Sequence, residues 1–304
     1  MGVTPIMKVC GQEIKVQGSL IRIARLEGEG YHFLDDPEVL LSGLRQCGAR
    51  IDLFTFMQKL PETNPKFAYP MEWDNFAALS VSTFDHWWME QIGFKARNKA
   101  KQAEKKGVVI REVAFDDTLV KGIWEIYNET PIRQGRRFPH YGKDLEAVHR
   151  EEATFLARSV FIGAFLDDKL IGFVKLVTDE TGTQAGLMNI LSMVAQRDKA
   201  PTNALIAQAV RSCGERGINF LVYSRFSYGS KVQSSITDFK KRNGFQRIDV
   251  PRYYVPLTVL GRAAFQLGLH HRFVDRLPES VVSRIRELRN AWYNRKFQAV
   301  KESA

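Results

Sequence analysis

The stretch SMVAQRDKAPTNALIAQAV, residues 192–210, reads as the end of an apolar strand, a short basic loop and an amphipathic helix. Pro201 suits the first turn of that helix, and Leu205, Ala209 and Cys213 fall on one stripe at helical spacing. A helix N-terminus that follows a strand presents backbone N–H groups to anions such as phosphate. The loop contains no glycine, so the sequence predicts a phosphate-cradle topology whose cradle is weakened.

Strand-like and helix-like segments alternate on both sides of this stretch, as judged by apolar periodicity and turn residues. The predicted strands are residues 108–113, 160–177 (a hairpin turning at Asp167, Asp168 and Lys169), 185–194, 218–226 and 245–257, and the predicted helices are residues 116–129, 144–159, 201–214 and 234–243. The order β, α, α, β, β, β, α, β, α, β predicts an α/β fold with a mixed sheet. It fits neither a Rossmann fold nor a four-helix bundle.

The two ends of the chain extend this pattern. Strand-like LIRIARL, RIDLFTFM and FAALSVS and helix-like DPEVLLSGLRQCG predict a smaller N-terminal α/β lobe, with LPETNPKFAYPMEWDN as a proline-punctuated loop. Arginines alternate with apolar residues near the C-terminus. We therefore expect an N-terminal lobe over residues 1–94, a main domain over 95–258 and a basic amphipathic helical tail over 259–304.

Composition favours a globular protein with anionic partners. The 304 residues are 44% hydrophobic, and the net charge is +10 with a pI near 9.5. Nucleotide cofactors, RNA and acidic membrane surfaces fit this charge, as does a merely solvated basic surface. No apolar run approaches the roughly 18 residues of a membrane span, and the first residues lack a signal-peptide pattern. We expect a cytoplasmic protein, with the basic tail docked on the protein itself or lying peripherally on an anionic membrane.

Cysteine and histidine spacing predicts no metal site. Cys10, Cys47 and Cys213 are widely separated, which argues against a zinc site or a disulfide framework. Six histidines are scattered without ligand spacing, and His270 and His271 are expected at the surface beside the basic tail.

Two segments carry a family resemblance. FKARNKAKQAEKKGVVIREV, residues 94–113, is similar to the basic helix and following G-V-x-V of Fem-type aminoacyltransferases, and DFKKRNGFQ, residues 238–246, is similar to their F-K-x-x-F-G segment. With the element order over residues 108–257, the chain resembles the GCN5-related N-acetyltransferase (GNAT) superfamily and, within it, the Fem-type proteins. The resemblance implies a GNAT-like acyltransferase fold and fits an additional N-terminal lobe.

The resemblance also implies a donor site at the opening stretch. GNAT proteins hold the coenzyme A pyrophosphate on a loop that reads roughly [RQ]-x-x-G-x-[GA], and here both glycines are missing. Pro201 removes an N–H donor as well. The expected cofactor-binding residues are Met193, Val194, Gln196, Arg197, Lys199, Thr202 and Asn203. Either acetyl-CoA or a longer acyl-CoA binds with help from Arg197 and Lys199, or the donor is aminoacyl-tRNA, as in Fem-type enzymes.

Acyl transfer needs a base, an oxyanion site and an acid for the leaving group. Many GNAT relatives place a glutamate on the central strand, where this chain has Asn189, so the base stays open between a water chain and a distant carboxylate. The backbone N–H groups near Met193 and Val194 are the expected oxyanion donors. Tyr228 is the expected acid, with Tyr223 and Ser224 next.

An arginine-rich loop, NETPIRQGRRFPHYGK at residues 128–143, joins the first two helices of the main domain. Guanidinium groups bind carboxylate and phosphate in bidentate fashion, and aromatic neighbours stack on sugars or bases. In GNAT folds this connection overhangs the acceptor pocket. We therefore expect a substrate-binding lid formed by Arg133, Arg136, Arg137, His140 and Tyr141; the alternative is a surface loop fixed by its own aromatic residues.

Three functions remain open on the sequence. The first is an N-acyltransferase that moves an acyl group from acyl-CoA to an amine of a small or cell-envelope acceptor. The second is a Fem-like, aminoacyl-tRNA-dependent transferase acting on a cell-wall precursor, for which the basic helix of residues 95–106 would bind tRNA phosphates. The third is a catalytically inactive GNAT-like binding module, which the absence of an acid at Asn189 allows.

Overall fold

The computed structural model describes residues 6–227, residues 234–271 and Arg284. In this part of the chain the strands are β1 (Ile6–Val9), β2 (Gln12–Gln17), β3 (Ile23–Leu26), β4 (Leu53–Met57), β5 (Met71–Ser80), β6 (Val109–Val113), β7 (Ile132–Arg133), β8 (Arg136–Arg137), β9 (Ser159–Leu166), β10 (Lys169–Thr178), β11 (Gln184–Ser192), β12 (Phe220–Val222) and β13 (Gln246–Pro256). The α-helices are α1 (Glu38–Gln46), α2 (Phe84–His86), α3 (Phe94–Lys105), α4 (Asp117–Asn128), α5 (Leu145–Glu152), α6 (Pro201–Glu215), α7 (Ser235–Arg242) and α8 (Val259–Gln266).

Eleven of these strands form one mixed sheet in the order β1-β2-β3-β4-β13-β5-β12-β11-β10-β9-β6, and β7 and β8 form a separate hairpin. The pairs β3–β4 and β11–β12 are parallel, and the other neighbours are antiparallel. The predicted mixed-sheet α/β fold is therefore confirmed. The predicted main-domain strands and helices are present in the expected order.

Helix α4 illustrates how the local sequence builds the layer that carries the site. Asp116 caps it by accepting a hydrogen bond from the Leu119 backbone N–H at 2.8 Å. Leu119, Ile123 and Ile126 recur at helical spacing and are buried against the sheet. At the C-terminal end of α4, Tyr127 is buried against Phe173 of β10 and donates a hydrogen bond to Glu152 of α5.

The sheet opens between β11 and β12. Their register covers Gln184 to Gly186 against Phe220 to Val222 and ends there, while β11 continues to Ser192. Strand β12 instead stays beside β5, with Tyr223 N–H donating to the Ala77 carbonyl at 2.7 Å. The two strands therefore separate toward the end of β11, and helix α6 begins just beyond that end.

The N-terminal part shows where periodicity fails. The β1–β2 hairpin was not predicted, because its residues alternate only weakly and β1 lies at the sheet edge. Residues 71–75 were predicted as loop, yet they form the first half of β5. Their polar side chains are compatible with a strand because Asp74 accepts hydrogen bonds from Arg252 at 2.8 Å and from Arg225. A buried ion network thus takes the place of the expected apolar residues.

Strand β5 also bears on domain organisation. It comes from the predicted N-terminal lobe, and it pairs with β13 along Met71–Ala78 and with β12 at Ala78–Ser80. The division into 1–94, 95–258 and 259–304 stays a prediction, and most of the predicted tail after residue 271 lies outside the described residues. No described helix combines the length and the apolar character needed to cross a membrane.

Candidate functional site

In the basic loop after β11, most backbone N–H groups donate hydrogen bonds to carbonyls of the loop itself. Residues Arg197–Lys199 form a 3-10 turn, in which Arg197 N–H donates to Val194 O at 3.2 Å and Ala200 N–H donates to Arg197 O at 3.1 Å. Gln196 and Lys199 N–H groups donate to Met193 O and Gln196 O in the same way. Since these donors are engaged within the loop, the turn offers few of them to an external phosphate.

The two N–H groups that point away from this turn hold a carboxylate. Val194 N–H donates to Glu129 Oε2 at 2.7 Å, and Ala195 N–H donates to Glu129 Oε1 at 2.8 Å. Glu129 is the C-cap residue of α4. A carboxylate with both oxygens on neighbouring N–H groups thus engages the Val194 N–H, one of the groups expected from the sequence to stabilise an oxyanion.

Arg133, in the same arginine-rich loop, contacts this carboxylate and two backbone carbonyls. Its Nη2 lies 3.3 Å from Glu129 Oε2 and donates to Ile126 O at 2.8 Å, while Nη1 donates to Ser192 O at 2.8 Å. The guanidinium also stacks on Phe138 at 4.5 Å. Burial lowers the pKa of Arg133 from its ordinary value. Arg133 therefore binds groups of the chain itself.

The other predicted lid residues divide between surface and interior. Arg136 and Arg137 are exposed on β8, and Tyr141 is 43% exposed, so these side chains are available to a ligand. The His140 ring packs 4.3 Å from the Tyr127 ring, and its Nδ1 lies 3.1 Å from Lys143 Nζ. Burial, reinforced by the Lys143 charge, lowers the His140 pKa.

The remaining donor-side residues line the start of α6. Arg197 is exposed, and Lys199 Nζ lies 3.6 Å from Asp198. Thr202 Oγ1 shares a hydrogen bond with Ser192 Oγ at 3.0 Å, and Asn203 donates to Asn243 Oδ1 at 3.3 Å. Met193 is buried and its N–H donates to Ile171 O. The structure thus brings the seven expected residues to one loop and helix start.

Helix α3 lies beside this loop. Lys106 Nζ donates to Asp198 Oδ2 at 2.9 Å, and Gln102 donates to Asp198 O at 3.0 Å. The hydrogen bond from Lys106 lowers the Asp198 pKa. The buried face of α3 consists of alanines at positions 96, 100 and 103, so its lysines project outward. The exposed lysines are Lys95, Lys99, Lys101, Lys105 and Lys106.

A second, buried polar network joins α4, α5, β10 and β11. The Lys175 ammonium, with no solvent exposure, donates to the carbonyls of Glu152 at 2.7 Å and Thr154 at 2.6 Å. Glu152 Oε1 accepts hydrogen bonds from Tyr127 Oη and from Asn189 Nδ2, both at 2.7 Å. Glu152 Oε2 is buried without a hydrogen-bond partner in the described part of the chain.

Burial dominates the electrostatics of this network. It lowers the Lys175 pKa to about 8 and raises the pKa of Glu152 and of Tyr127. Asn189 therefore contacts a carboxylate supplied by α5. Glu152 is the nearby acid that the sequence did not assign.

The expected leaving-group acids follow β12 in the sequence, whereas the residues of this network belong to α4, α5, β10 and β11. Tyr223 packs against Phe245 with ring centroids 5.8 Å apart, and the Lys240 ammonium lies 4.6 Å from the Tyr223 ring. Ser224 adopts a left-handed conformation with φ of 52°, and its carbonyl accepts from Ala77 N–H. Tyr228 lies outside the described residues. No role for these three residues follows from the described contacts.

The sequence analysis did not single out Glu129 or Lys175, although a feature of the local sequence points to each of them. Lys175 interrupts the apolar run LIGFVKLV, and a charge inside a strand buried on both faces needs a polar partner. Glu129 ends α4 next to an arginine-rich loop. Nothing in the local sequence gives its partners Val194 and Ala195, which lie more than sixty residues later.

Comparison with solved structures shows which proteins share this fold. The chain matches the C-terminal domain (DUF2156) of a protein from Agrobacterium fabrum that carries a provisional assignment as lysylphosphatidylglycerol synthetase, with a TM-score of 0.54, 14% identity and coverage of 87% of each chain. It matches L-PGS from Bacillus licheniformis with a TM-score of 0.55, 11% identity and coverage of 87% of this chain and 88% of that one. FemX matches with a TM-score of 0.54, 11% identity and coverage of 84% and 86%.

The chain has a GNAT-like fold with Fem-type relatives. The resemblance expected from residues 94–113 and 238–246 is thereby confirmed at the level of the fold. No family model matches the sequence, and no curated protein matches it.

Proposed function

We propose that this Fem-type fold serves an aminoacyl-tRNA-dependent acyltransferase that acts on a cell-envelope precursor. The observation that carries the proposal is the Glu129 carboxylate on the N–H groups of Val194 and Ala195. A coenzyme A pyrophosphate needs free N–H donors at this position. Here the backbone N–H groups of the loop are already hydrogen-bonded. The geometry therefore favours, over acyl-CoA, an acyl donor whose binding does not depend on a pyrophosphate cradle.

The basic face of α3 supports the choice of tRNA. Its exposed lysines lie on the helix whose Lys106 and Gln102 contact the donor loop. Rows of lysines bind nucleic-acid phosphates by releasing counterions. The net charge of +10 acts in the same direction over longer distances.

The proteins that share the fold support the proposed aminoacyl transfer. One is L-PGS, another carries the provisional assignment as lysylphosphatidylglycerol synthetase, and the third is FemX. In the proposed step, an acceptor amine or hydroxyl attacks the carbonyl carbon of the aminoacyl ester. The bond from that carbon to the tRNA ribose oxygen breaks, and the acceptor proton passes to this oxygen. Once Glu129 releases them, the N–H groups of Val194 and Ala195 stabilise the oxyanion.

Salt-dependent tRNA binding tests the donor. We expect log Kd to rise linearly with log salt, and the triple variant Lys95→Gln, Lys99→Gln, Lys101→Gln to reduce the slope by roughly 0.7–0.9 for each lost phosphate contact. The matched control is Lys8→Gln, Lys121→Gln, Lys169→Gln, three exposed lysines outside α3. Equal slopes in both variants would show that α3 is not the tRNA-binding surface.

Thermal stabilisation by acetyl-CoA, longer acyl-CoAs and free coenzyme A tests the rival donor, since a ligand of the folded state raises the melting temperature. We expect no shift. A clear shift together with salt-insensitive tRNA binding would establish an acyl-CoA enzyme instead. Salt-dependent tRNA binding without aminoacyl transfer to any acceptor would indicate a binding module.

A further inference from the structure

Two consecutive histidines meet a glutamate far from the donor loop. Helix α8 ends at Gln266, and the following turn brings His270 and His271 to Glu72 near the start of β5. His270 Nε2 lies 3.0 Å and His271 Nε2 lies 3.1 Å from the same oxygen, Glu72 Oε1. Three ligand-type atoms therefore lie within 4.8 Å of one another.

The His270 ring is fixed in position. Its side chain is 1% exposed, which overturns the expectation of a surface residue. The ring packs against those of Tyr254, at 4.6 Å, and Phe265, at 5.0 Å, in a three-ring cluster. Its Nδ1 is buried without a hydrogen-bond partner in residues 6–227 and 234–271, so packing and Glu72 alone aim the Nε2 atom.

Glu72 keeps its negative charge available. In the described ranges it forms no ion pair with lysine or arginine, although the chain is strongly basic. Arg252, opposite Glu72 in the strand register, directs its guanidinium to Glu29 and Asp74 instead. Two imidazoles that converge on a carboxylate without a lysine or arginine partner form a donor set that Zn²⁺ binds in proteins.

We propose that Glu72, His270 and His271 bind a divalent transition-metal ion, with Zn²⁺ as the natural choice. Zinc–nitrogen and zinc–oxygen bonds of about 2.0–2.2 Å in a tetrahedron separate neighbouring ligand atoms by about 3.4 Å. The observed nitrogen–oxygen distances of 3.0 and 3.1 Å need only small side-chain rotations. His271 and Glu72 are 42% and 34% exposed, so solvent reaches the site and a water molecule completes the tetrahedron.

The ion would fasten the end of α8 to β5. The sequence distance from Glu72 to His270 is large, and α8 otherwise contacts the sheet mainly through β13. A metal that binds only the folded chain stabilises it by mass action. The site is independent of the proposed transferase activity, because none of its ligands belongs to the donor loop or the lid.

The test is calorimetric titration of the full, tag-free, metal-stripped chain with Zn²⁺. We expect one site per chain and a higher melting temperature with zinc. His271→Ala and Glu72→Gln, at partly exposed positions, should each weaken binding at least tenfold, while the metal-free variants keep a cooperative thermal transition. His149→Ala and Cys10→Ser remove exposed potential ligands elsewhere and serve as matched controls.

Two results would overturn the site. One is the absence of any zinc-dependent shift in melting temperature. The other is zinc binding that His271→Ala and Glu72→Gln leave unchanged, which would place the ion elsewhere on the surface. Substitution by Co²⁺ adds a spectroscopic readout, since a tetrahedral ion with two imidazole ligands absorbs strongly in the visible and His271→Ala should remove that absorption.

Discussion

Lys175 shows how one buried ammonium makes stability depend on pH. Its pKa is lowered to about 8, so between pH 8 and 10 the unfolded chain binds a proton that the folded chain has released. The free energy of unfolding therefore rises with pH in this window, by up to about 1.4 kcal/mol per pH unit. Burial lowers the Lys240 pKa to about 8 as well, which adds a second contribution of the same sign.

Substituting Lys175 by methionine removes one of these two contributions. We expect the slope of unfolding free energy against pH, measured by urea denaturation between pH 8 and 10, to fall by roughly half. Lys169→Met, at the exposed start of the same strand, is the matched control and should keep the full slope. A Lys175→Met chain with an unchanged slope would show that the buried ammonium stays protonated in this range.

Glu129 is the residue on which the donor loop depends most. Glu129→Ala leaves the N–H groups of Val194 and Ala195 and the Arg133 guanidinium without their carboxylate, so we expect a loss of about 1–3 kcal/mol in stability. Glu146→Ala, whose side chain is 83% exposed, should change stability by no more than about 0.5 kcal/mol. Chemical denaturation of both variants measures the difference, and equal losses would contradict the bridging role.

At the scale of elements, the N-cap of α4 sets the position of the site. Asp116→Ala removes the hydrogen bond to Leu119 N–H and should destabilise the chain by about 1 kcal/mol. Its neighbour Asp117 lies in the first turn without acting as the cap, so Asp117→Ala should lose only about 0.3–0.5 kcal/mol of dipole interaction. Thermal melts measure the stability lost by each variant. A larger loss for Asp117→Ala than for Asp116→Ala would refute the role of Asp116 as the cap.

The elements also show what periodicity predicts and what it misses. Most strands and helices of the main domain were predictable because they bury a continuous apolar face, as α4 and α6 do, whereas the short hairpin β7–β8 was predicted as loop. The first half of β5 was not, because its buried Asp74 depends on Arg252 and Arg225, whose pairing is long-range. The partners of Glu129 could not be predicted for the same reason, because they lie far from it in the sequence. The sequence predicts where the donor loop lies, but not that a carboxylate occupies it.

At the scale of the whole molecule, one strand joins the two halves of the sheet. A fragment of residues 95–271 lacks β5, which leaves β12 and β13 without their common neighbour and removes Ala77 and Leu79 from the core. We expect this fragment to unfold without a cooperative thermal transition, and co-expression with residues 1–94 to restore one. Cooperative unfolding of the fragment alone, followed by calorimetry, would instead support an autonomous main domain.

The position of β5 has a consequence for biosynthesis. Ser80 pairs with Phe220, so the strand leaves the ribosome about 140 residues before its partner in β12. At roughly 5–20 residues per second, translation holds that strand unpaired for on the order of ten seconds. During this time its edges and apolar half, Phe76 to Leu79, are open to wrong partners. The nascent chain therefore carries an unpaired, partly apolar strand until the ribosome completes β12 and β13, the strands that enclose β5.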